Sequence, residues 1–190
     1  MRLSSLSSAA LAAALVAAAA VLAFSALPAL FVWAAFIGWA SYDHSGANVQ
    51  AAIRSSVALV FGVIMAWLVA MIVEAHALPA TMSVSTAIVA GTASFLIVIA
   101  SRTALLSVVP ATFYGFASTF AYLSLSSGAF TTEVLTSLSW HNAIISVPVS
   151  LLIGTGLGIL HGWLSNVIAA REAGSGNRGL SGGSRRVGQG

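Results

Sequence analysis

Ser55-Ser-Val-Ala-Leu-Val-Phe-Gly-Val-Ile-Met-Ala-Trp-Leu-Val-Ala-Met-Ile-Val73 is an uncharged apolar run held between Arg54 and Glu74. At 1.5 Å of rise per residue it makes a helix of about 28 Å, close to the ~30 Å hydrocarbon thickness of a bilayer. A charge at each end and none between is what a membrane span requires, since a mid-bilayer arginine costs about 2.5–3.5 kcal/mol. The same reading extends outward in both directions. Further apolar segments cover about 6–26, 28–42, 82–100, 104–123 and 142–169, and Pro28, Pro79 and Ser101-Arg102 punctuate the chain near their ends.

Composition agrees with that reading. Of 190 residues, 59% are hydrophobic and 6% charged, with mean hydropathy +1.01. A soluble domain carries about 25% charged residues, so this chain cannot cover a globule with polar surface. All seven basic residues are arginines: Arg2, Arg54, Arg102, Arg171, Arg178, Arg185 and Arg186. Four of them lie after residue 170, so the high pI reflects a short basic tail and implies no nucleic-acid face. With no cysteine, there is no disulfide framework and no thiolate metal site.

The sequence therefore predicts an all-α, polytopic integral membrane protein with six transmembrane helices. Residues 1–170 form a single helical domain, and 171–190 are expected to be a disordered Gly/Ser/Arg tail on the cytoplasmic side. Arg2, Arg54, Arg102 and the tail all fall inside if the N-terminus is cytoplasmic, while Glu74, His76, Glu133 and His141 fall outside. The positive-inside rule favours this arrangement, with both termini cytoplasmic. Four spans, with the short second and fifth segments re-entrant, stand as the alternative. The first segment also resembles a signal peptide, with Arg2 ahead of an apolar stretch and Ala23-Phe-Ser-Ala26 as a cleavage candidate, although it is long for one.

A pattern recurs inside the chain. Phe36-Ile-Gly38-Trp39-Ala-Ser41 returns as Phe113-Tyr-Gly115-Phe116-Ala-Ser118, an offset of 77. Ala58, Gly62 and Ala66 precede Trp67-Leu68, and Gly154, Gly158 and Gly162 precede Trp163-Leu164, an offset of 96. One duplication plus a longer loop at 124–141 accounts for both. The halves, about 6–76 and 82–169, each hold three spans, so they sit in opposite orientations as a 3+3 inverted repeat, a plan shared by many transporters. Gly62 and Ala66, like Gly154, Gly158 and Gly162, are spaced four apart and are expected to be helix-packing residues, because small side chains let backbones approach closely.

Few residues carry chemistry. Gly154-Thr-Gly156-Leu-Gly158 lies inside an apolar helix without a preceding strand and places His161 in the third glycine slot, so it is no dinucleotide loop. The four histidines are too scattered for a metal site, and no metal or other cofactor is expected. His161 lies within the last span, where an ionisable group is a functional candidate by default; shallow depth and a helix carbonyl would equally satisfy it. Phe36, Gly38, Trp39, Ser41, Thr112, Phe113, Gly115, Phe116 and Ser118, with His161, are the candidates to line a narrow uncharged path. Ordinary interhelical packing is the competing reading. No nucleophile–base pair is visible, and no enzymatic activity is expected.

Trp33-Ala-Ala-Phe-Ile-Gly-Trp-Ala-Ser-Tyr42 and Leu105-Leu-Ser-Val-Val-Pro-Ala-Thr-Phe-Tyr-Gly-Phe-Ala-Ser-Thr-Phe120 resemble the bacterial inner-membrane family catalogued as domain of unknown function 1097. Relatives often carry a Gly-Gly pair after the first block, where this chain has Ser45-Gly46-Ala47. The resemblance implies a multi-pass protein of the bacterial inner membrane and supplies no catalytic residue. Two functions stay open: a channel or facilitator for a small, mostly uncharged solute, and a non-transporting assembly or stress-related membrane protein. The lipid bilayer is the expected partner, self-association is left open, and nothing names the solute.

Overall fold

The computed structural model describes residues 5–183, with side chains to residue 172. It is all helical among these residues. The helices are α1 (Ser5–Ser25), α2 (Val32–His44), α3 (Val49–Glu74), α4 (Met82–Ala100), α5 (Val109–Leu125), α6 (Thr132–Leu135) and α7 (Ala143–Gly183), with a 3-10 turn at Ala104–Leu106 before α5. Four helices, α1, α3, α4 and the part of α7 from Ala143 to Glu172, are long and apolar enough to cross a membrane. The shorter α2 and α5 hold 13 and 17 residues, or about 20 and 26 Å. The tail expected from residue 171 lies mostly outside the residues whose side chains are described.

Helix starts are written in local chemistry. The Asn48 side chain accepts from Ala51 N–H at 2.9 Å and opens α3, satisfying one of the donors a helix N-terminus leaves unpaired. Thr81 and Thr131 do the same for α4 and α6. At α2 no local side chain serves; instead Phe31 N–H donates to Ser150 Oγ of α7 at 3.0 Å. Between α2 and α3 the chain reverses through Gly46 at φ 109° and Ala47 at φ 50°. Ala47 thus takes a left-handed conformation that glycine adopts without steric cost.

Two compact units make up the chain. In the unit of residues 23–159, α2, α3, α5 and the first part of α7 share a core containing Leu59, Val63, Ala111, Leu135, Val147 and Leu151. Two crossings hold it. At the first, a Cβ on Gly38 of α2 would fall on the Leu151 carbonyl of α7, and a Cβ on Gly154 would fall on the Ala35 carbonyl of α2. At the second, a Cβ on Gly62 of α3 would fall on the Thr112 carbonyl of α5, and one on Gly115 would fall on the Leu59 carbonyl of α3. Each glycine thus meets the carbonyl three residues ahead of the opposing glycine. Only residues without a side chain allow backbones this close.

Directions follow from the same contacts. Phe31 meets Ser150, Gly154 faces Ala35, and Gly158 faces Trp39 and Tyr42, so α2 and α7 run the same way. The turn before α5 lies beside the first half of α3, and Phe116 and Phe120 pack on the cluster of Val69 and Val73 near its end; these two also run the same way. Neighbours α2 and α3 form a hairpin closed by Ser41 Oγ and Ser55 Oγ at 2.7 Å. In contrast, α2 and α5 are antiparallel, with Phe31 against Tyr122 at 5.0 Å and His44 against Tyr114 at 6.3 Å.

In the second unit, built from residues up to 22 and from 160 onward, His161 Nε2 lies 3.2 Å from Ala9 O. Gly162 is exposed, and a Cβ there would meet nothing within 4 Å. In the 23–159 unit, by comparison, a Cβ on Gly154 would meet the Ala35 carbonyl and one on Gly158 the rings of Tyr42 and Trp39.

Stability measurements on glycine variants test the crossings. Gly62→Ala and Gly154→Ala are expected to lose about 1–3 kcal/mol or more, the cost of overpacking a close contact, read as a lower melting temperature in detergent. Gly91→Ala and Gly156→Ala, whose added methyls meet open space, are expected to leave stability unchanged or raise it through helix propensity. Equal losses at all four positions would show that the crossings are not the close contacts.

Candidate functional site

The candidate path residues of α2 and α5 separate by role. Gly38 and Gly115 are taken up by the crossings. Phe36 and Trp39 form a ring pair at 6.3 Å, and Phe113 and Phe116 form another at 6.3 Å; all four rings are half-buried. Ser41 is buried and bonded to Ser55, a partner the sequence reading missed. Its signal is symmetry: both serines stand seven residues from the Asn48 cap, so an antiparallel hairpin sets them opposite. Thr112 is buried, with its carbonyl in the α3 crossing. His161 belongs to the other unit.

The buried polar side chains of the 23–159 unit are hydroxyls apart from Asn142, and none is charged. Most are satisfied close to home: Thr119 Oγ1 donates to Gly115 O at 3.0 Å, and Ser150 Oγ donates to Ser146 O at 2.8 Å. Such back-bonding to the preceding turn lets a hydroxyl sit in an apolar setting. Two do not follow this rule. Ser118 Oγ and Thr155 Oγ1 are buried and have no hydrogen-bond partner among the described residues. Thr155 was not among the sequence candidates, since a threonine in an apolar helix is usually self-satisfied.

The 126–142 link, read from sequence only as a longer polar loop, is tied into the core. Leu135 is fully buried, and its carbonyl accepts from Trp67 Nε1 at 3.0 Å and Asn142 Nδ2 at 2.8 Å. Asn142 Nδ2 also donates to Ser137 O at 2.8 Å, and Tyr122 OH donates to His141 O at 2.7 Å. Beside this link a cavity of about 460 Å³ is lined by Pro28, Phe31, Tyr122, Ser126, Trp140 and His141, among others. Its size falls in the range of small-molecule pockets. Chemically it offers aromatic faces, hydroxyls and an imidazole.

Asn142→Leu removes both side-chain donors while keeping the volume roughly constant. It is expected to cost about 1–3 kcal/mol, the penalty for stranding buried acceptors, and to expose the 126–142 link to proteolysis. Unchanged melting and cleavage would show that the link is held by Leu135 packing and the Trp67 and Tyr122 bonds without Asn142.

A family model described as a protein of unknown function (DUF1097) matches residues 10–166. That is most of the chain, and the chain belongs to this family. No curated protein and no solved structure matches it.

Proposed function

From membership of a family without an assigned activity, we propose that the protein is a membrane facilitator for a small, mostly uncharged solute, built from six spans as a 3+3 inverted repeat. The observation that carries the solute path is two unpartnered buried hydroxyls of the 23–159 unit, Ser118 Oγ and Thr155 Oγ1; Ser8 Oγ of the other unit is a third. Stranding a buried polar group costs about 1–3 kcal/mol, and each such group calls for a reason. A passing neutral molecule able to hydrogen-bond is that reason. The hydroxyl-rich, charge-free interior favours a neutral solute over an ion, and the cavity at Phe31 and Tyr122 serves as a mouth.

Burial supports the repeat. Adding 77 to the buried positions Ala34, Ala35, Gly38, Ser41 and Tyr42 of α2 gives Ala111, Thr112, Gly115, Ser118 and Thr119, all buried on α5. The same offset takes Ser8, Val16 and Ala20 of α1 to Ser85, Ala93 and Ile97 of α4. Adding 92 takes Leu59, Gly62 and Ala66 of α3 to Leu151, Gly154 and Gly158 of α7, also buried. Burial thus favours an offset of 92, one helical turn short of the 96 read from the tryptophans. Under this correspondence the two glycine crossings are copies of each other. The helix directions in the 23–159 unit are those that alternating spans demand, which favours six spans over four. The expected setting is a bacterial inner membrane with both termini cytoplasmic.

Topology is tested by a reporter active only in the cytoplasm. It is expected to work after Gly190 and near Ala47 and to fail within 126–142. Periplasmic behaviour at Ala47 would sink the six-span reading and the inverted repeat with it.

Transport is tested by light scattering from proteoliposomes against a panel of small neutral solutes. Ser118→Ala and Thr155→Val remove orphaned hydroxyls, so each is expected to raise the melting temperature while lowering flux several-fold. Phe36→Ala and Phe113→Ala are expected to change flux by similar amounts. No flux above empty liposomes for any solute would leave a non-transporting assembly or stress-related role as the better reading.

A further inference from the structure

An apolar groove of about 790 Å³ lies between α3, the 3-10 turn and α7 in the 23–159 unit, with Val57, Val60, Phe61, Ile64, Leu105 and Leu152 on its walls. A smaller hollow of about 220 Å³ continues it toward the start of α3. The two share Ala104 and Leu105, and the smaller one is lined by Arg54 and Gln50. Arg54 is half-buried there. The groove is thus hydrocarbon along its length and cationic at one end.

That end falls at a defined depth. The 26 residues of α3 span about 39 Å, some 9 Å more than the ~30 Å core. Arg54 stands five residues into the helix, about 8 Å from its start, which sets it at the boundary where lipid headgroups lie. Guanidinium binds phosphate through paired hydrogen bonds, and basic pockets between membrane helices hold anionic headgroups. A soluble anion has no use for the hydrocarbon wall, and a zwitterionic lipid gains less from the arginine.

We propose that this groove is a binding site for an anionic phospholipid, with one acyl chain along α3 and Leu152 and the headgroup phosphate on Arg54. Four wall residues exposed in the isolated chain, Val57, Ile64, Leu105 and Leu152, then face lipid carbons. The site is independent of whether the protein transports anything.

The test uses the full chain purified in neutral detergent, with dioleoyl phosphatidylglycerol or dioleoyl phosphatidylcholine added. Phosphatidylglycerol is expected to raise the melting temperature by about 5 °C more than phosphatidylcholine, the scale for a ligand that binds only the folded state well above its dissociation constant. Glycerol phosphate alone is expected to do nothing. Arg54→Gln should erase the difference between the two lipids, while Arg102→Gln should keep it. Leu105→Trp, a change at an exposed position that fills the groove, should weaken both lipids and leave the lipid-free melting unchanged. Equal effects of the two lipids on the native chain, or a difference that survives Arg54→Gln, would overturn the proposal. So would efficient disulfide cross-linking of a Leu105→Cys variant in liposomes, because the chain has no other cysteine and the groove would then be covered by a second copy.

Discussion

In the 23–159 unit, a glycine on one helix sits on the carbonyl of its neighbour, twice over, and the remaining packing depends on those two contacts. Inside a bilayer there is no hydrophobic drive between helices, because lipid tails are as apolar as leucine. Cohesion has to come from dispersion at short range and from Cα–H to carbonyl contacts worth about 0.5–1 kcal/mol each. Both demand close backbones, and only glycine provides them at Gly38, Gly62, Gly115 and Gly154. The short α2 shows the consequence. With 13 residues it has little apolar length of its own, and its position comes from the crossing with α7 and from the serine pair with α3.

Polar groups then have to be settled without water. The chain does this mostly by turning hydroxyls back onto their own helices, and otherwise by lending a side chain to another segment. Ser150 of α7 serves the unpaired Phe31 N–H at the start of α2, and Trp67 of α3 serves the Leu135 carbonyl in the link before α7. These bonds join segments 119 and 68 residues apart. They lie on the same helices as the crossings, so close packing and polar satisfaction reinforce one another. The unpartnered hydroxyls of Ser118 and Thr155 in the 23–159 unit stand out against this economy.

How much of this was legible in the sequence depended on range. Charge-free apolar length marked α1, α3, α4 and α7 as candidate spans, because a bilayer punishes a misplaced charge heavily. Glycine spacing pointed to Gly62, Gly154 and Gly158 as contact positions. For Gly38 and Gly115 the sequence leaves path-lining and packing open, because a glycine that meets a backbone and one that meets a solute leave the same letter; both meet an opposing carbonyl. The folding of 126–142 was hidden for a different reason. Its Thr131 cap is visible in sequence, but burial of Leu135 rests on Trp67 and Asn142, partners that only tertiary structure brings together.

The two crossings look alike, yet the links that follow the short helices do not. After α2 the chain turns within four residues, through Gly46 and Ala47 in left-handed conformations. After α5 it spends 17 residues on a link that carries α6 and buries Leu135. The unequal links leave one plain turn and one elaborated link. The elaborated end here holds the aromatic and hydroxyl groups of the 460 Å³ cavity, and the plain end leaves an apolar groove beside Arg54. If the protein is the facilitator proposed, selectivity for a neutral solute would reside at the cavity, where hydroxyls and an imidazole stand beside aromatic faces. The groove is walled by apolar side chains apart from Ser56 and Thr103, so its chemistry suits hydrocarbon, and the two hollows differ in character even though the two crossings are built the same way.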